Sequence, residues 1–247
     1  MAISYFGQAS GSANNAGSVS VTLPASMAVN DLIIVCWSCG DDDFTQPTLA
    51  MTTAGYTELT TSTLSADGGT AGDGNLAVFY KFHNGSDTTA VTAASGTGTD
   101  SSNAVALMVF RGVATVAQGG PLEIAIQTAS GTSGGDPNPP QVSTFTEATS
   151  AIVICAAMSV ATAPLTLTAP TNYTTNALSV GATDAFSATA GLAYRLTGAA
   201  DPENPGVFAD NGTGAAWCAA TLVLLEAPPV TDSNTPYFSG GYYPTEG

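Results

Sequence analysis

Asp31-Leu-Ile-Ile-Val-Cys36 and Ser150-Ala-Ile-Val-Ile-Cys155 share one pattern: a polar residue, a β-branched apolar run and a cysteine. Runs of this length and composition read as buried strands. No stretch of a dozen residues carries the i, i+3, i+4, i+7 apolar stripe of a helix, so the chain is expected to be all-β. Around these two runs the sequence repeats itself. Pro47-Thr-Leu49 before Gly55-Tyr56-Thr57 is matched by Pro164-Leu-Thr166 before Asn172-Tyr173-Thr174. Leu76 to Lys81 is matched by Leu192 to Arg195, and Ala104 to Phe110 by Ala219 to Leu225.

Offsets of 119, 117 and 114 residues separate Asp31 from Ser150, Tyr56 from Tyr173 and Tyr80 from Tyr194. A period this long is not that of a solenoid. It points to two half-units, about 17–113 and 140–226, with a Gly/Pro-rich linker at 130–140. Strands are expected near 3–6, 17–23, 31–39, 55–60, 75–83, 88–93, 103–113, 121–127, 140–145, 150–160, 173–179, 188–197 and 215–226. Turn chemistry falls between them, as at Asp67-Gly68-Gly69 and Asn84-Gly85-Ser86. A shared core buries more than two thin ones, so residues 1–226 are read as one antiparallel β-sandwich, jelly-roll-like and internally duplicated. Pro228-Pro229 stops the last strand. Residues 227–247 form an extended C-terminal arm carrying Tyr237, Phe238, Tyr242 and Tyr243. Aromatics in a solvated tail suggest docking, on the same domain or on a neighbouring subunit.

Three residues of 247 are basic: Lys81, Arg111 and Arg195. With nineteen acidic residues the formal charge is -16. Such a chain has little with which to neutralise phosphate, so nucleic acid and anionic membrane are excluded as partners. Lys81 and Arg195 hold equivalent positions in the two half-units, each directly after a tyrosine. Arg111 ends a strand whose counterpart ends in Glu226. All four are read as structural ion-pair anchors. The N-terminus has no basic segment followed by an apolar one, so no signal peptide is expected. No apolar run has membrane-helix length.

The candidate chemistry is thin. Cys36 and Cys39 are three apart on one strand, too distant to bridge, and Cys155 and Cys218 sit in other apolar runs. All four are read as buried thiols; zinc would need a second pair, and His83 is the sole histidine. Asp41, Asp42 and Asp43 form the one dense acidic cluster, a calcium candidate with Asp67 or Asp73, though a solvated loop is the preferred reading. Gly131-Thr-Ser133-Gly-Gly135 matches a nucleophile elbow by letters, but it lies in a linker with no helix after it. Glu58, Glu123, Glu147 and Asp184 are scattered. Trp37 and Trp217 read as core, and Tyr56 and Tyr173 as structural. No catalytic residue, cofactor or firm metal site is assigned, and no enzymatic activity is expected.

The order of Asp31-Leu-Ile-Ile-Val35, Gly55-Tyr56-Thr57, Ala77-Val-Phe-Tyr80-Lys81 and Val109-Phe110-Arg111-Gly112-Val113 resembles a β-sandwich family of tailed-phage and prophage virion proteins. The likeness covers 17–113 well and 140–226 more faintly, because the second copy ends in Leu224-Leu225-Glu226. It implies a bacteriophage structural protein on the virion surface: capsid decoration, head fibre or tail component. Such a protein is assembled in the host cytoplasm and acts by oligomerisation, as a dimer or trimer, and by docking to other virion proteins. The competing expectation is a carbohydrate-binding module that adheres to host glycan.

Overall fold

The computed structural model describes residues 2–14, 18–41, 48–60, 62–69, 72–87, 90–95, 102–132, 135–146, 150–160, 163–183, 186–196, 201–212 and 216–229. Two antiparallel sheets pack face to face. The first contains β1 (Ser4–Ala13), β9 (Ser102–Arg111), β3 (Leu32–Asp41), β7 (Asp73–Phe82) and β5 (Thr57–Glu58) in that order, with β6 (Leu64–Ala66) also on β7. The second contains β10 (Gln127–Gly131), β14 (Ala216–Leu224), β11 (Ala151–Val160), β13 (Ser187–Arg195) and β12 (Leu178–Ala182). A third, three-stranded sheet of β2 (Ser18–Thr22), β8 (Ala90–Ser95) and β4 (Leu49–Met51) backs the first.

This layering explains why Asp31 to Cys39 is apolar without alternation. Both faces of β3 are covered. Leu32, Ile34 and Cys36 join the core between the two large sheets, while Ile33, Val35, Trp37 and Cys39 join the core under the third sheet. β2 alternates cleanly: Val19 and Val21 point inward and Ser18, Ser20 and Thr22 outward. That is the pattern of a strand with one wet face. Among the described residues no strand lies over the outer face of the second sheet. Val142, Phe145, Leu167, Tyr173 and Phe208 cover it from irregular segments. Isolated backbone bridges, Val142 to Glu203 and Thr168 to Ala209, pin these segments.

The repeated segments occupy the same rank in the two large sheets. Cys36 lies opposite Val78 and Ala106, and Cys155 opposite Leu192 and Ala220. The register moves one correspondence. Phe110 pairs with Leu32 and Leu224 with Ala151, so Leu224, not Leu225, holds the place of Phe110. Two expected elements also change. Residues 140–145 contain no strand, and Thr144 has φ +69, which breaks an extended run. The expected 130–140 linker begins inside β10, an edge strand on β14. Its Gly131 is required by Trp217, whose indole would sit 2.6 Å from an added Cβ.

Small inward side chains let the two large sheets approach closely at one end. Cα atoms of β3 and β11 come within 8 Å, against roughly 10 Å for typical stacked sheets. Ala106, Ala157, Ala188, Ala190, Ala216 and Ala220 line this end. The Cys218 thiol donates to the Gly74 carbonyl across the gap at 3.1 Å. At the other end Leu32, Phe110 and Tyr194 fill a wider space, with Tyr5 stacked on Tyr194 at 5.0 Å. An added Cβ at Gly74 would lie 2.5 Å from the Ala216 carbonyl oxygen, which is backbone and cannot swing aside. Gly74→Ala is therefore expected to cost about 1–3 kcal/mol in urea unfolding through overpacking. An unchanged midpoint would show that the sheets are not so closely apposed.

Candidate functional site

All three basic residues gather at the wide end, and each meets a carboxylate. Lys81 faces Ile33 and Arg195 faces Ile152 across their ladders, so the two cations hold matching sites. Lys81 Nζ is 2.9 Å from Asp87 Oδ2 and donates to the Ala54 carbonyl at 2.9 Å. It lies 5.4 Å from the Tyr56 ring centroid. Arg195 Nη1 donates to Glu203 Oε1 at 2.9 Å, and Tyr173 Oη donates to the same oxygen at 2.7 Å. Each half-unit thus combines a tyrosine, a strand cation and an acid from the loop that follows. The acids differ in type and spacing, which hid them from sequence comparison.

Arg111 is held by a fork. Its Nε donates to Asp31 Oδ1 at 2.8 Å and its Nη2 to Asp31 Oδ2 at 3.0 Å. Its guanidinium carbon lies 4.2 Å from the Phe6 ring centroid. Asp31 Oδ2 also accepts from the Ala28 amide at 2.7 Å. Bidentate geometry and a buried carboxylate make this the most directional of the three pairs. The acid is Asp31; the Glu226 backbone bridges to Val113. Asp31 corresponds to Ser150 in the second half, so nothing in the repeat marks it as a partner.

A groove of about 410 Å³ runs beside Arg111, between the Ala28–Asp31 loop and Gly112–Val113, and Ala227 and Pro228 form part of its wall. Val29, in its lining, is 60% exposed. A second hollow of about 470 Å³ lies against the Thr22–Met27 segment, with His83 and Asp87 in its lining. His83 is buried, its Nδ1 3.0 Å from the Ala28 carbonyl and its Nε2 3.3 Å from the Asp87 carbonyl. It ties the two loops together through these two main-chain carbonyls.

The other candidates do not converge. Asp67 and Asp73 accept from the Gly69 and Gly68 amides within their own turn. Asp42 and Asp43 lie outside the described residues, as does the Asp41 side chain. Among the described residues no three metal-binding groups cluster. Glu58 accepts from Thr60, and Glu123 accepts from Thr146 and Ser150. Glu147, Asp184, Ser133, Tyr237, Phe238, Tyr242 and Tyr243 lie outside the described residues. Trp37 is buried and donates to Asn103 Oδ1 at 2.9 Å.

The four thiols are buried. Cys36 and Cys155, equivalent in the two halves, meet across the sheets, a convergence that reading them one at a time missed. Burial pushes the Cys155 thiol well up, and its hydrogen bond to Cys36 adds to this. Burial pushes Cys218 up to about 12. Burial raises Tyr173, and the Glu203 carboxylate raises it further.

No family model, curated protein or solved structure matches the chain. The reading of the site rests on its geometry.

Two outcomes are expected. Arg195→Met leaves the Glu203 carboxylate buried without its cation and should cost about 2–4 kcal/mol, read by urea unfolding at pH 7. A loss below the error of the fit would make the pair decorative. The raised thiols and tyrosines keep their protons in the folded state after the unfolded chain has lost them. They therefore stabilise fully below the unfolded thiol value of 9.0, and the Cys218 contribution is lost as pH climbs toward about 12. The slope should approach about 1.4 kcal/mol per pH unit for each such group. Cys218→Ala should flatten the decline measured in urea between pH 8 and 11; an identical slope refutes the assignment.

Proposed function

We propose that this protein is a non-enzymatic structural component of a bacteriophage exterior, acting by self-association and docking. The carrying observation is the path of the first half-unit. Its strands interleave between two sheets, β1-β9-β3-β7 in one and β2-β8-β4 in the other. This interleaving supports a jelly-roll reading, an architecture used by viral capsid and lectin domains. The near absence of cations and the polar Ser/Thr/Gly surface fit an exterior setting that meets neither nucleic acid nor anionic lipid.

The cation end supports the docking part. Its three cations are spent on internal pairs, while the groove beside Arg111 presents Val29 to solvent. Ala227 and Pro228 form part of the wall of that groove, and the four aromatics of 237–243 follow them in the sequence. Trp37, Tyr56 and Tyr173 are engaged within the fold, so they build no stacking row for a sugar. This favours docking over glycan binding.

Purified particles from the encoding lysate, probed with an antibody to this chain, should carry it in stoichiometric amounts. Its absence from particles would defeat the proposal. Deleting 229–247 should convert a dimer or trimer to monomer in light scattering and leave the melting temperature within a few degrees. Unchanged mass would remove the arm from the assembly.

A further inference from the structure

We propose that Cys36 and Cys155 are a latent cross-sheet disulfide site that staples the two halves of the core under mild oxidation. Both point into the space between the large sheets, from β3 and β11. The Cys36 sulfur is already lodged against the opposite sheet, 3.5 Å from the Ala156 carbonyl and 3.4 Å from that of Gly191. Ala156 is the neighbour of Cys155 and the ladder partner of Gly191. The Cys36 thiol also helps to hold the Cys155 thiol in its protonated form, as a group within interaction range does.

Ordinary sheet stacking sets Cα atoms about 10 Å apart, too far for a bridge that spans roughly 4.4–6.8 Å. Here inward-facing alanines let the sheets come close, and Cα atoms of β3 and β11 fall within 8 Å. The remaining cysteines are excluded by position. Cys39 faces the other core, under the third sheet, and the Cys218 thiol is held on the Gly74 carbonyl.

The oxidant is a small peroxide. One thiolate of the pair attacks a peroxide oxygen; the O–O bond breaks, leaving a sulfenic acid and, after protonation, water. The second sulfur attacks the sulfenic sulfur, forming the S–S bond and releasing a second water. Two thiols lose two protons and two electrons, and hydrogen peroxide is reduced to two waters. Burial makes the step slow on the folded chain, paced by transient opening of the interface. The bridge closes a long loop and ties one sheet to the other, so it restricts the unfolded chain. It holds whether or not the protein rides on a particle.

The three basic residues make the test clean. Trypsin cuts after Lys81, Arg111 and Arg195, placing Cys36 and Cys39 in 1–81, Cys155 in 112–195 and Cys218 in 196–247. Full-length protein is incubated with hydrogen peroxide, alkylated in denaturant and digested without reductant. The expected product is 1–81 joined to 112–195, with fragmentation placing the bond at Cys36, and a melting temperature raised by several degrees. Cys39→Ala should retain the link and Cys155→Ala abolish it. Four alkylated thiols, oxygen addition without a link, or a bond through Cys39 or Cys218 would overturn the inference. The wild-type map alone decides it if either variant fails to fold.

Discussion

The close contact of two sheets through small side chains governs the rest of this molecule. Each half of the chain supplies one whole large sheet, and the largest core exists only where they meet. Alanine, glycine and cysteine at one end let the backbones nearly touch; Leu32, Phe110, Tyr5 and Tyr194 at the other hold them apart. The interface is thus a wedge. Little adjustment is available at its narrow edge, because the nearest atoms there are main chain.

The wedge also places the charged groups. At the end filled by large side chains, loops return and bring Asp31, Asp87 and Glu203 against the three cations. A chain with so few cations keeps all of them for these positions. Each pair ties a loop to a strand end: Asp31 holds the turn at Ala28, Asp87 the turn after β7, and Glu203 the segment bridged to Val142. Ion pairs this shielded fix conformation more surely than they add stability.

Much of this was legible in the chain, for physical reasons. The central strands are long, β-branched and apolar, and their positions could be read directly. The edges were not legible. Gln127–Gly131 joins its sheet through backbone pairing with β14 and carries Gly, Ser and Ala that look like a linker. Leu49–Met51 and Leu64–Ala66 are too short to show a period. Val142, Phe145 and Phe208 are core residues without a strand, because their burial is decided by a sheet distant in sequence. The acids were hidden for the same reason: Asp31 and Arg111 are 80 residues apart, and no local pattern links them.

The central claim is that both halves share one core and stand or fall together. Scanning calorimetry of the full chain tests it most directly. One transition is predicted, with calorimetric and van't Hoff enthalpies equal within error. Two resolved transitions, or a calorimetric enthalpy well above the van't Hoff value, would mean that the sheets unfold separately and that their apposition is incidental.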